Sequence, residues 1–257
     1  MKGAAIIRDS IRRIVKKASC SGKPFLQAGS QLLNFIFPPF CPGCGLLMRT
    51  ARGICPRCRI TLDDTCGIMC WNRPEAFTYL TDQLYLSEVV TCWDYSPCLE
   101  NIIHAVKYNG RTRLGIWIGK FAAARMSLHI PETIDLLIPV PLHTSRERER
   151  GYNQSGMICR GFGAVLAVPC SSGILRRVKN TATQTSLSGP ARQRNAADAF
   201  RVIDSGSVKD RSVLLVDDVV TTGATLNSAA CALVRAGASH VCGAALARPV
   251  LGCVKVR

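Results

Sequence analysis

Between residues 213 and 226 an apolar run, two acids and a hydroxyl-rich turn follow one another: Val213-Leu-Leu-Val216-Asp217-Asp218-Val-Val-Thr221-Thr222-Gly223-Ala224-Thr225-Leu226. Four apolar residues in a row predict a buried strand, and the segment from Leu226 predicts a helix. A strand feeding a helix through a short loop is the unit of an open α/β sheet, where ligands bind outside the strand ends. Thr221, Thr222, Gly223, Ala224 and Thr225 would offer backbone N–H groups and hydroxyls to a phosphate at the helix N-terminus. No lysine follows the glycine, so the loop is not that of a nucleoside-triphosphate site. Asp217 and Asp218 accept hydrogen bonds and so suit sugar hydroxyls. Phosphate and hydroxyls side by side describe a ribose 5-phosphate. The plainer alternative, a capped helix after a strand, explains each feature singly but not their order.

The rest of the chain repeats this alternation. Helices are expected over 99–107, 113–128, 153–166 and 226–236. Buried strands are expected over 134–140, 213–216 and 241–246. Short apolar strands alternating with helices predict an α/β domain with a parallel sheet. Its 257 residues suffice for one such domain and a small second module. The expected organisation is a basic N-terminal arm at 1–35, a cysteine module at 36–75 and the α/β domain at 76–257.

Fourteen cysteines are present, six of them between 41 and 70. Cys41-Pro-Gly-Cys44 and Cys55-Pro-Arg-Cys58 are two C-x-x-C knuckles. Each turns the backbone so that two thiolates face one point, and two knuckles supply the four-sulfur tetrahedron that zinc prefers. Iron is a second metal that four thiolates suit. A module this short cannot build its own core, so the metal would be part of its folding. Cys66 and Cys70, with three residues between them, either complete a further site or are bystanders. The remaining cysteines read as small buried apolar residues. With no apolar leader at the N-terminus, the pattern points to a reducing, cytoplasmic setting.

The formal net charge of +16 favours anionic partners. Ile7, Ile11 and Ile14 recur at helical spacing among Arg8, Arg12, Arg13, Lys16 and Lys17. This arm is either a basic amphipathic helix for a membrane surface or nucleic acid, or a solvated terminal helix. No apolar run is long enough for a transmembrane span. Aromatic residues make up 6%, too few for an extensive base-stacking platform.

The acid pair and its Thr-Thr-Gly-Ala-Thr loop resemble the 5-phosphoribosyl-1-pyrophosphate (PRPP) motif of type I phosphoribosyltransferases. Asp135-Leu-Leu-Ile-Pro139-Val140-Pro141-Leu142-His143, followed by Arg150-Gly151-Tyr152-Asn153-Gln154, resembles the pattern of the ComF family. That family comprises competence-associated phosphoribosyltransferase-like proteins with an N-terminal zinc ribbon. Lys107-Tyr-Asn-Gly110, Gln184, Arg192 with Asn195, and Ala199-Phe200 resemble it too. The likeness covers residues 36–248, with the motifs in the family's order. The third cysteine pair departs from the family's closer C-x-x-C-G, and the arm at 1–35 has no counterpart.

The resemblance implies a type I phosphoribosyltransferase-like parallel sheet with helices on both faces, plus a small zinc-ribbon module. It implies PRPP with Mg²⁺ as ligand, the ribose hydroxyls on Asp217 and Asp218, and the 5′-phosphate on Thr221–Thr225. Pyrophosphate would lie on the loop from Pro139, Val140 and Pro141 to Arg146, with Arg150 beyond. The basic segment 176–195 resembles the mobile loop that closes over PRPP in such enzymes. No segment reads a nucleobase or amine acceptor. His104 and His143 do not stand out as general bases. Two functions follow: phosphoribosyl transfer to an acceptor the sequence does not name, or non-catalytic handling of single-stranded DNA alongside competence-machinery proteins.

Overall fold

The computed structural model describes residues 39–48, 53–71, 83–178 and 199–249. The chain divides into two units, 1–40 with 47–51 and 41–46 with 52–257. In the first, the described residues form one small bridge, Phe40 to Leu47, closed by Met48 N–H on the Pro39 carbonyl. The arm at 1–35 and most of the basic stretch 176–195, with Gln184, Arg192 and Asn195, lie outside the described residues.

The second unit is built on a five-stranded sheet. Its strands are β1 (Cys66–Trp71), β2 (Val89–Asp94), β3 (Leu136–Pro139), β6 (Ser212–Val219) and β7 (His240–Arg248), in the order β1-β2-β7-β6-β3. β2, β7, β6 and β3 run parallel, and β1 joins the edge antiparallel to β2. The expected parallel sheet is therefore present with one antiparallel edge strand. β1 lies in the 36–75 stretch, yet it hydrogen-bonds to a strand of the 76–257 stretch. β4 (Leu175–Arg177) and β5 (Phe200–Val202) form a separate two-stranded ladder.

Among the described residues there are six helices: α1 (Pro56–Asp64), α2 (Pro97–Tyr108), α3 (Thr112–Met126), α4 (Thr144–Arg150), α5 (Gln154–Leu166) and α6 (Ala224–Arg235). The boundaries follow local chemistry. Ser96 caps α2 by accepting from Leu99 N–H, Pro97 fits its first turn, and Gly110 at φ 62° ends it. Asn153 caps α5 by accepting from Ser155 N–H.

Alternate strand residues fill two cores. Ile138, Val213, Leu215 and Val241 pack with Leu226, Ala229, Ala230 and Leu233 of α6 and with Leu175 and Phe200 of the β4–β5 ladder. On the other face lie α2, α3 and α5, whose Ile103, Ile118 and Ile158 meet Asp218 and Leu246. α3 and α5 approach closely because each puts a glycine at the crossing. A Cβ on Gly119 would sit 2.3 Å from the Ile158 carbonyl oxygen, and one on Gly161 2.4 Å from that of Ile116. This contact seats α5 so that its first turn lies at the carboxyl end of the sheet.

Candidate functional site

β6 carries both acids before it ends. Successive strand residues point to opposite faces, so Asp217 and Asp218 leave β6 in opposite directions. Asp217 lines a shallow cleft, open to solvent, together with Val219, Val220 and every residue of Thr221–Leu226. The loop turns into α6 at Gly223, whose φ of 77° is left-handed and suits a residue without a Cβ. The Thr222 hydroxyl accepts from Ala224 N–H at 3.5 Å. The N–H groups of the first α6 turn give the cleft an electropositive floor.

Asp217 accepts a hydrogen bond from Ser155 Oγ at 2.9 Å and another from the Asp218 backbone N–H at 2.9 Å. Crowding by protein atoms and the neighbouring Asp218 charge nevertheless push its carboxyl up to about 8. Asp218 is 6% exposed and pairs with the Lys107 ammonium at the end of α2. The two acids are thus differently held. One faces the cleft with its carboxyl pushed up by burial and its neighbour, whereas the other is buried against a cation.

Pro139 ends β3 beside Val216, and Val140 N–H bonds the Val216 carbonyl at 2.9 Å. The Asn153 amide donates to the Val140 carbonyl at 3.0 Å, which ties this loop to the start of α5. Pro141 continues the loop towards α4. Arg146 lies near Arg177 of β4, and Arg177 in turn lies near Asp217. Burial first, then the Arg146 cation, lower the Arg177 guanidinium, while Asp217 opposes them. Arg150 turns elsewhere. Its guanidinium lies over the Tyr108 ring at 4.8 Å, donates to Tyr108 Oη at 3.1 Å and donates to Gln154 Oε1 at 2.9 Å.

The structure therefore gathers Asp217 with Thr221–Thr225 in one cleft and puts Arg146 with Arg177 beside it. Arg150 is held at the exposed edge of α2. Lys107, Ser155 and Arg177 carry interactions that sequence reasoning did not assign. Lys107 was visible only as part of a family motif, Arg177 only as one cation of a basic stretch. Ser155 gave no signal beyond its place two residues after a helix-capping Asn.

A second cluster lies far along the sequence from this cleft. The thiol sulfurs of Cys41, Cys44, Cys55 and Cys58 all lie within 4.8 Å of one another. Cys44 and Cys55 Sγ are 3.6 Å apart, close to the roughly 3.8 Å edge of a zinc tetrahedron with bonds of about 2.3 Å. Cys55 N–H donates to Cys41 Sγ at 3.2 Å and Cys58 N–H to Cys55 Sγ at 3.4 Å. Burial works to raise the Cys41 thiol, but the N–H groups of Cys55, Cys44 and Gly43 outweigh it and bring it down to about 7. Four close sulfurs with backbone donors around them fit a thiophilic metal, and this group could bind a zinc. A Cβ on Gly43 would meet Cys98 Sγ at 2.9 Å and Cys58 Sγ at 3.0 Å, so this position of the first knuckle needs glycine.

Cys66 and Cys70 stand apart from that group. Cys66 Sγ is 3.8 Å from Cys92 Sγ across the β1–β2 pair. Cys70 lies near Glu88 instead, and burial, then that carboxylate, raise its thiol. Four strand residues span roughly 13 Å, too far for the two thiols to share one ion. Among the described residues no helix is long and apolar enough to cross a membrane.

Comparison with known proteins agrees with this architecture. A family model described as phosphoribosyl transferase domain matches residues 164–249, from the end of α5 through β7. The DNA utilization protein YhgH of Escherichia coli (strain K12) is 33% identical over 209 residues, covering 78% of this chain and 86% of that protein. Competence protein F of Haemophilus influenzae is 28% identical over 240 residues, covering 89% of each. Competence protein ComFC of Bacillus subtilis is 24% identical over 204 residues, 74% of this chain and 82% of that one. Among solved structures, a Bacillus subtilis glutamine PRPP amidotransferase complexed with ADP and GMP aligns with a TM-score of 0.37 at 19% identity, over 51% of this chain and 25% of its own. Parallel strands, the phosphoribosyl transferase domain match and relatives aligned over most of their length converge, and the chain belongs to the ComF family, whose domain here is a phosphoribosyltransferase-like α/β fold.

Proposed function

We propose that this protein binds PRPP, or a related ribose 5-phosphate, as its Mg²⁺ complex in the cleft between β6 and α6. One observation carries the reading: Asp217 and the complete Thr221–Thr225 loop line a single solvent-open cleft at a helix N-terminus. In this reading Thr221–Thr225 hold the 5′-phosphate through backbone N–H groups and hydroxyls. Asp217 takes ribose hydroxyls from the cleft, and Asp218, charge-balanced by Lys107, completes the acid pair. Pro139, Val140 and Pro141 with Arg146 and Arg177 form the pyrophosphate side, where cations offset the ligand's charge. Arg150 orders the neighbouring edge through Tyr108 and Gln154. Mg²⁺ brought in with the ligand would be held beside Asp217 and would supply positive charge against the leaving group. Cys41, Cys44, Cys55 and Cys58 hold a structural zinc.

Calorimetry of PRPP with Mg²⁺ tests the reading on wild type and on Asp217→Ala/Asp218→Ala. Binding in the wild type and its loss in the variant support it. Absence of binding in a folded wild type overturns it. Pyrophosphate release in a screen of bases and amines separates transfer from binding alone.

A second reading is supported by the names of the relatives, a DNA utilization protein and two competence proteins, together with the +16 charge. In it the protein handles single-stranded DNA, with phosphate contacts from its basic segments. Affinity falling steeply with salt supports that reading. No polynucleotide binding at physiological salt excludes it.

A further inference from the structure

Cys159 and Cys170 fit the expectation of scattered, inert cysteines in one respect only: Cys159 is fully buried in α5. Cys170 is exposed. Their sulfurs lie 2.8 Å apart, less than 1 Å beyond a covalent S–S bond of about 2.05 Å. The chain builds this contact deliberately. Ala167 takes a left-handed φ of 58° just after α5 and reverses the backbone. The returning segment then runs beside β3, with Leu137 N–H on the Pro169 carbonyl and Ser171 N–H on the Leu137 carbonyl, each at 2.9 Å. Gly163, one turn along α5 from Cys159, leaves the space. A Cβ there would lie 2.9 Å from the Val168 oxygen and 3.7 Å from Cys170 Cβ.

The two thiols are unequal in the way a dithiol reaction requires. The contact with Cys159 lowers the Cys170 thiol against the opposing effect of burial, and the Arg160 cation adds to the lowering. Burial and the Cys170 charge raise the Cys159 thiol. The accessible sulfur is thus the more acidic one, which is the order for an attacking and a resolving thiol.

We propose that Cys159 and Cys170 form a redox modification site whose substrate is a low-molecular-weight disulfide. Cys170 thiolate attacks one sulfur of that disulfide. The S–S bond breaks, one thiolate leaves, and a mixed disulfide remains on Cys170. Cys159 loses its proton to water or buffer and attacks the Cys170 sulfur, releasing the second thiolate. The protein is oxidised by two electrons and the small disulfide is reduced to two thiols. The product disulfide pins the middle of α5 to the segment beside β3. This site lies apart from the four-cysteine cluster and does not depend on the PRPP reading.

The test uses the full-length reduced chain, oxidised glutathione, alkylation of remaining thiols and peptide mapping. Trypsin cuts after Arg160, so the two cysteines fall in separate peptides, each with one cysteine. The expected result is a linked pair of these peptides as the main early product, with both sites lost to alkylation. Cys159→Ser should instead accumulate a glutathione adduct on Cys170, and Cys170→Ser should leave Cys159 reduced. Wild-type mapping decides the matter even where a variant folds poorly. Cys159 and Cys170 remaining fully alkylated while other thiols oxidise, or Cys170 linking mainly elsewhere, overturns the proposal.

Discussion

The Ser155 hydroxyl donates to Asp217 Oδ1 at 2.9 Å, joining the first turn of α5 to the carboxyl end of β6. These residues are 62 apart in sequence, and the bond ties the start of α5 to the acid pair. Asn153, two residues earlier, holds the Val140 carbonyl. A single helix start therefore holds both the loop after β3 and the cleft's Asp217. Ser155→Ala should cost about 1 kcal/mol of stability, the net worth of one hydrogen bond. PRPP affinity should fall roughly fivefold for the same energy. Urea unfolding and calorimetry on the one variant measure both, and loss of stability with unchanged affinity would place Ser155 outside the binding machinery.

Lys107 and Asp218 offer a sharper separation. Lys107→Met leaves a buried carboxylate without its cation and should destabilise the fold by about 1–3 kcal/mol. Lys107→Met/Asp218→Asn removes both charges and should recover more than half of that loss. The double-mutant cycle reads the coupling directly. Additive effects would mean that the pair contributes nothing as a pair.

The parallel strands and their helices were legible because their apolar runs are long and their ends are punctuated. α2 was expected at 99–107 and spans Pro97–Tyr108; β6 was expected at 213–216 and continues to Val219. That extension hid a consequence. Asp217 and Asp218 are expected at the carboxyl end of a strand that stops at Val216, whereas β6 continues through them and strand geometry sends them to opposite sides. β1 and β2 were not legible. Cys66–Trp71 looked like part of a metal module, and a bulge between Cys66 and Met69 breaks its alternation. The four zinc-type cysteines announced themselves by spacing. Cys98 and Cys170 gave no such signal, because their neighbours come from the fold rather than from adjacent sequence.

The α3–α5 crossing should be intolerant of side chains. Gly119→Ala places a Cβ 2.3 Å from the Ile158 carbonyl oxygen, an atom of helix backbone that cannot rotate away. A loss of about 1–3 kcal/mol is expected, typical of overpacking. The displaced helix carries Ser155, so PRPP affinity should fall as well. Gly110→Ala serves as the contrast. Nothing lies within 4 Å of its added Cβ, and its φ of 62° exacts only backbone strain of about 1 kcal/mol. Thermal unfolding of the two variants side by side decides which effect is larger.

The cysteine cluster predicts one zinc per chain. Cys41→Ser or Cys58→Ser should abolish stoichiometric zinc in the purified protein, as read by elemental analysis. Cys66→Ser should retain it, since that sulfur lies beside Cys92 and outside the group. A strong chelator should lower the thermal midpoint of wild type, because metal binding is folding free energy for such a module. Zinc content unchanged in Cys58→Ser would overturn the assignment.

The raised carboxyl of Asp217 predicts how stability changes with pH. Its proton is lost near 3.8 in an unfolded chain and near 8 in the folded one. Between those values the folded state holds a proton that the unfolded state has released. The stability from this group is full below the unfolded value and is lost as pH rises towards the folded one. Asp217→Asn stays neutral throughout and still accepts from Ser155 Oγ, so it escapes that loss. Its thermal midpoint, measured relative to wild type, should rise by at least about 3 °C from pH 5 to pH 8. Both proteins share every other titrating group, so the difference isolates this one. A gap that stays constant or narrows over that range would mean that Asp217 is already ionised in the folded protein at neutral pH, held so by Ser155 and by the nearby Arg177 rather than pushed up by burial and Asp218.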